Sequence, residues 1–222
     1  MTRVKICGLT SREDLAVAVD AGADALGFIA DVPVDTPREV DATTAADLVA
    51  AAPPFVTTTL VLMPESPTHA VELARTVRPD ALQLHADFDP EEFQFVRAES
   101  SAKLVVVVDA ADHERAREVD DVADAVLVDS TTDEGAGGTG ETHDWAATRE
   151  LAAGIDSPVV LAGGLTPENV ADAVETAAPY GVDVASGVES SGGVKDTDAV
   201  RAFVRAVRRA ELGTLDEDEV MA

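Results

Sequence analysis

The chain has 222 residues, 46% of them hydrophobic, and carries 43 Asp and Glu against 16 Lys and Arg for a net charge of −27. That charge repels nucleic acid and anionic membranes, and a single cysteine leaves neither an intramolecular disulfide nor a cysteine-rich metal site. No run approaches the roughly 18 consecutive apolar residues of a membrane span, and the start, Met1-Thr2-Arg3-Val4-Lys5, lacks the apolar stretch of a signal peptide.

The expectation is a cytoplasmic protein with no nucleic-acid and no membrane partner. The acids are spread along every helical segment, among ordinary apolar periodicity, which argues against an acidic disordered tail as their source. They fit a protein working in concentrated salt, where screening removes self-repulsion. Melting temperature and activity are therefore both expected to rise from dilute buffer to molar KCl. Full activity with an unchanged melting point in dilute buffer would remove that reading.

In chain order, strand-like runs fall at Val4–Leu9, Ala25–Ala30, Phe55–Met63, Ala81–His85, Lys103–Asp109, Ala125–Asp129, Pro158–Ala162 and Val182–Ser186. Several are nearly continuous in Val, Leu and Ala, as in parallel strands buried on both faces. Helical patterns alternate with them at Arg12–Ala21, Thr44–Ala52, Thr68–Val77, Pro90–Glu99, His113–Val122, Trp145–Ala153, Pro167–Ala177 and Asp198–Ala210. Ser11 ahead of Glu13 and Asp14 is a helix cap, and Thr166-Pro167-Glu168 places proline at a first helical position. Strict alternation of eight strands and eight helices predicts an α/β fold, a single-domain (β/α)8 TIM barrel over residues 1–213. An open doubly wound sheet is the alternative. Residues 214–222 form an acidic C-terminal tail that is expected to fray. The segment 130–144, with Gly135, Gly137, Gly138 and Gly140, is long for a loop inside a compact domain, and such loops are usually functional or mobile.

The active site of a βα barrel lies at the C-terminal ends of its strands. Those ends here read Cys7-Gly8, Gln83-Leu84-His85, Val128-Asp129-Ser130, Ala162-Gly163-Gly164 and Ser186-Gly187. Packing does not ask for a polar group at nearly every strand end. Gly163, Gly164 and Gly187 let backbone N–H groups approach an anion closely, and loops after strands 7 and 8 are a common phosphate site. On strand 1, Lys5 and Cys7 share one face while Val4 and Ile6 share the other. Lys5 beneath Cys7 favours a thiolate, unless Asp183 on the neighbouring strand takes up its charge. His85 reads as a polar wall residue, and His69, His113 and His143 are spaced unlike metal ligands.

Lys5-Ile6-Cys7-Gly8-Leu9-Thr10, Gln83-Leu84-His85, Val128-Asp129-Ser130, Gly137-Gly138-Thr139-Gly140 with Asp144-Trp145, Ala162-Gly163-Gly164-Leu165 and Asp183-Val184-Ala185-Ser186-Gly187-Val188-Glu189 form an ordered set that runs from strand 1 to strand 8. In this order they resemble the phosphoribosylanthranilate isomerases, barrel enzymes of tryptophan biosynthesis. The resemblance implies Cys7 as general base and Asp129 as general acid of an Amadori rearrangement. It implies that Arg38, in Thr36-Pro37-Arg38, holds the anthranilate carboxylate, and that Gly163, Gly164, Ser186 and Gly187 hold the phosphate. Gln83 and His85 complete the substrate-binding set. The substrate would be the small molecule phosphoribosylanthranilate, with no metal and no other cofactor, since one acid and one base suffice.

The sequence departs from the family pattern at Ala86, where glycine is usual, and at Ile29-Ala30-Asp31-Val32-Pro33, which lacks an aromatic and adds an acid. Another phosphosugar isomerase or epimerase barrel, and a non-catalytic phosphosugar-binding barrel, remain open alternatives. The acidic surface favours a monomer, with a dimer possible.

Overall fold

A computed structural model describes residues 1–129 and 145–220. Eight parallel strands, β1 (Arg3–Ile6), β2 (Ala25–Ile29), β3 (Thr57–Leu62), β4 (Ala81–Leu84), β5 (Lys103–Asp109), β6 (Ala125–Asp129), β7 (Val159–Leu161) and β8 (Gly181–Val184), close into a barrel in that order. Closure is made by β8 on β1, with Lys5 opposite Asp183 in the register. This decides against the open sheet. Eight helices alternate with the strands: α1 (Arg12–Ala21), α2 (Ala42–Ala51), α3 (Pro67–Val77), α4 (Pro90–Ser100), α5 (His113–Asp120), α6 (Trp145–Ala152), α7 (Val170–Ala177) and α8 (Thr197–Val220).

The alternation along each strand sorts side chains into two layers. Val4, Ile6, Leu26, Phe28, Leu60, Leu62, Leu82 and Leu84 are fully buried in the main apolar core, against residues of the helices such as Phe93, Val119 and Phe203. Their neighbours Lys5, Thr59, Gln83 and Asp183 take the other face, and all four are buried polar groups. Local chemistry sets the helix starts. The Ser11 side chain accepts from the Asp14 N–H, and Asp89 with Glu92 forms a reciprocal capping box with Pro90 at the first position.

The structure differs from the sequence reading mostly at element ends. β1 stops at Ile6 rather than Leu9, because Gly8 takes a left-handed φ of 71° that turns the chain across the barrel mouth. α7 begins at Val170, not Pro167. The segment from Thr166 to Asn169 is a turn in which Asn169 Oδ1 accepts from the Thr166 N–H at 2.8 Å and Nδ2 donates to the Gly164 carbonyl at 2.9 Å. α8 continues through Val220. Past β8, a 3-10 turn (Ser186–Val188) and a small antiparallel pair, β9 (Glu189–Ser191) and β10 (Val194–Lys195), had no counterpart in the sequence reading. No described helix is long and apolar enough to cross a membrane.

Candidate active site

At the C-terminal ends of the strands lies a cavity of about 310 Å³. Cys7, Arg38, Gln83, His85, Asp129, Gly163, Gly164, Ser186 and Gly187 all line it, so the structure brings together every site residue that the sequence singled out. A larger cavity, about 550 Å³, opens at the opposite end of the barrel. It has no thiol and no glycine pair, and its cations Arg3, Lys5 and Lys103 are held by Asp24, Asp183 and Asp124. The residues singled out from the sequence line the smaller one. The loop 130–144, with its Gly-Gly-Thr-Gly motif, lies outside the described residues.

Cys7 is 4% exposed and follows directly on β1. Burial pushes its thiol pKa up, and the Lys5 charge pulls it down without cancelling that push. The reason is geometric. Lys5 Nζ donates to Asp183 Oδ1 at 2.9 Å, and the Asp183 charge itself opposes the thiolate. Lys5 thus pairs with the neighbouring strand while still pulling the thiol toward thiolate; burial outweighs that pull, and Asp183 offsets only part of it. Lys195 adds a second, smaller pull toward thiolate.

Arg38 reaches the cavity from the loop after β2. Its Nε donates to Glu189 Oε1 at 2.9 Å and its Nη2 to Glu189 Oε2 at 2.8 Å, a two-pronged pair that leaves the third nitrogen of the fork. Gly8 makes room for this arm, since a Cβ there would stand 2.8 Å from Arg38 Cδ. Lys195, from β10, donates to Glu189 Oε1 at 2.8 Å and to the Ala185 carbonyl at 3.0 Å.

The loops after β7 and β8 touch. Gly163 and Gly164 have φ of 84° and 60°, and a Cβ at Gly187 would land on the Leu165 carbonyl oxygen. Two backbone segments thus lie side by side at the cavity wall. The start of α7 stands three residues further from Gly164 than the sequence implied, so the anion-binding groups here are loop N–H groups more than a helix end.

Gln83 Nε2 and His85 Nε2 lie 3.2 Å apart. Burial, with the Lys5 charge nearby, lowers the His85 pKa to about 4, so its imidazole is neutral at pH 7. A neutral ring beside an amide is a hydrogen-bonding wall, in line with the sequence reading. Asp129 ends β6 across the cavity. Ile29, Val32, Val34, Val61 and Met63 supply an apolar side suited to a flat ring, and Asp31 is not among the lining residues. Its carboxylate lies 3.5 Å from His69 Nδ1 instead. The sequence reading missed Glu189 and Lys195 as site neighbours, although Glu189 stood in a quoted motif. Their only advance sign was a lysine in a chain with three. Among the described residues, no group of three or more His, Cys, Asp or Glu is placed to hold a metal ion.

Comparison with known proteins bears on this geometry. The family model for N-(5'-phosphoribosyl)anthranilate (PRA) isomerase matches residues 4–206. The N-(5'-phosphoribosyl)anthranilate isomerase of Haloferax volcanii is 61% identical over 222 residues, covering 100% of both chains. The crystal structure of phosphoribosyl anthranilate isomerase from Thermotoga maritima superposes with a TM-score of 0.84 at 34% identity, over 94% of this chain and 99% of that one. A crystal structure of the isomerase in complex with reduced 1-(o-carboxyphenylamino)-1-deoxyribulose 5-phosphate gives 0.80 at 31% identity, with the same 94% and 99% coverage.

Proposed function

The chain belongs to the N-(5'-phosphoribosyl)anthranilate isomerase family, and from that premise we propose how its own residues divide the work. It is a halophilic-type member that isomerises phosphoribosylanthranilate in tryptophan biosynthesis. What carries the assignment of roles is that Cys7 and Asp129, from β1 and β6, open on one cavity whose far wall is the touching pair of glycine loops.

The Asp129 carboxyl gives its proton to the furanose oxygen as the C1′–O bond breaks, and the nitrogen lone pair closes a protonated Schiff base. The Cys7 thiolate then removes the C2′ proton, and the freed electron pair forms the enolamine and neutralises the iminium. Tautomerisation to the ketone completes the rearrangement, with protons only and no redox step. The buried thiol is a reluctant acid in the free enzyme, but the iminium sets a positive charge beside it at the moment a base is needed. Gly163, Gly164, Ser186 and Gly187 anchor the phosphate. The apolar side of the cavity takes the anthranilate ring, and Arg38 its carboxylate.

Loss of phosphoribosylanthranilate fluorescence on adding the protein in molar KCl is the direct assay. In it, Arg38→Ala is expected to raise KM about tenfold with kcat less affected, because a charged contact held through the reaction contributes mainly uniform binding. An unaltered KM would remove Arg38 from the site. The like-charged surface favours a monomer, and the reading of the chain as cytoplasmic rests on the biosynthetic family it belongs to. The exposed Phe55 and Tyr180, which line the larger cavity, are the patch that a dimer would use.

A further inference from the structure

We infer that Lys195 is a positioning residue for substrate binding. Its ammonium neutralises Glu189, so that Glu189 can hold Arg38 in place without cancelling the Arg38 charge that an anionic substrate needs. The inference rests on the reading of Arg38 as a carboxylate-binding group.

The need follows from the charge of the chain. With a net −27, attraction for a substrate bearing a phosphate and a carboxylate has to be built locally. The chain has three lysines, and two of them, Lys5 and Lys195, are buried. Lys5 is taken up by Asp183. Lys195 is different, because its partner Glu189 is already bound through both carboxylate oxygens to Arg38. The group therefore contains two cations and one anion and keeps one net positive charge, at the cavity edge where Arg38 is partly exposed. The side chains grade from 0% exposed at Lys195 through 5% at Glu189 to 22% at Arg38. The compensating charge is sealed in, and the useful one faces the ligand.

Without Lys195, the Arg38–Glu189 pair would be neutral and would offer an anion little. Without Glu189, Arg38 would carry its charge on a loose arm. The same ammonium donates to the Ala185 carbonyl, one residue before Ser186 and Gly187. One buried group thus supports both the carboxylate clamp and the phosphate loop. The β9–β10 pair delivers it, pinned by the Thr10 hydroxyl on the Gly193 carbonyl at 2.9 Å and by the Lys195 N–H on Asp14 at 3.1 Å.

The test is a comparison of KM in four proteins: wild type, Lys195→Met, the double variant Lys195→Met/Glu189→Gln, and Arg38→Ala. Lys195→Met should raise KM for phosphoribosylanthranilate about tenfold, the scale of one unscreened charge at short range, while kcat on the alkaline plateau falls less than about threefold. The double variant, which also removes the unneutralised carboxylate, should return KM to within about threefold of wild type. A merely structural lysine predicts the reverse, with the double variant no better than the single one. Should the methionine variant not fold, Lys195→Gln, which keeps a donor for the Ala185 carbonyl, takes its place with the same expectations. Unchanged KM in the lysine variant, or a double variant no better than the single, overturns the inference. If Arg38→Ala itself leaves KM unchanged, the reading of Arg38 has failed and this inference falls with it.

Discussion

Asp129→Asn and Cys7→Ala should each lower kcat by about a hundredfold or more, the usual contribution of a positioned proton-transfer group. Asparagine keeps the shape of Asp129 but has no proton to give the ring oxygen. Alanine removes the thiolate that takes the C2′ proton. Inhibition by inorganic phosphate should be nearly unchanged in both, because the loops proposed to hold phosphate follow β7 and β8.

A pH profile adds the sign. Burial holds the Cys7 thiol above its ordinary pKa, so the reactive thiolate grows in only as pH rises past that value. kcat/KM, which reports the free enzyme, should climb through the alkaline range, and the climb should vanish in Cys7→Ser. The same shift acts on stability. The neutral buried thiol stabilises the fold at low pH, and that contribution is lost as pH rises through the raised pKa. Cys7 is the only thiol, so a thiol reagent has one target, and product should protect it. A folded Cys7→Ala retaining most of its kcat would return Cys7 to the role of a buried apolar residue.

Gly187→Ala is expected to raise KM about a hundredfold, which corresponds to about 2.7 kcal/mol of binding. The new methyl would sit on the Leu165 carbonyl oxygen and 3.0 Å from its carbon, with Thr166 Cα at 3.3 Å. These are backbone atoms and cannot rotate away, so the two phosphate loops must separate. Inorganic phosphate should lose inhibitory strength in parallel, while kcat at saturation falls far less. Circular dichroism and the melting temperature separate loop displacement from general unfolding. A variant with wild-type KM would show that these loops do not carry the phosphate.

The architecture was legible because its signals are local and repeated. β5 and β6, and helix α1, were read at their true ends, since an apolar run or a capped helix is written in adjacent residues. Ends governed by turn geometry were not. Gly8 and the Thr166–Asn169 turn end or delay an element through backbone angles that their neighbours do not announce. In the site, Cys7, Asp129 and the glycines were visible as strand-end residues. The Arg38–Glu189–Lys195 group was not, because Arg38 and Glu189 stand 151 residues apart and meet only when the barrel closes. The sequence likewise left open whether Lys5 would serve Cys7 or Asp183; the structure pairs it with Asp183 at 2.9 Å while its charge still acts on Cys7.

That closure has a cost in time. Cys7 leaves the ribosome among the first residues, yet the strand that flanks it arrives 178 positions later, the separation of Lys5 from Asp183. At about 5–20 residues per second, the interval is roughly ten to forty seconds. Until then one edge of β1 has no neighbour, Lys5 has no counter-ion, and Arg38 has nothing to brace it. The nascent chain is inert, and its exposed strand edge is open to pairing with another chain.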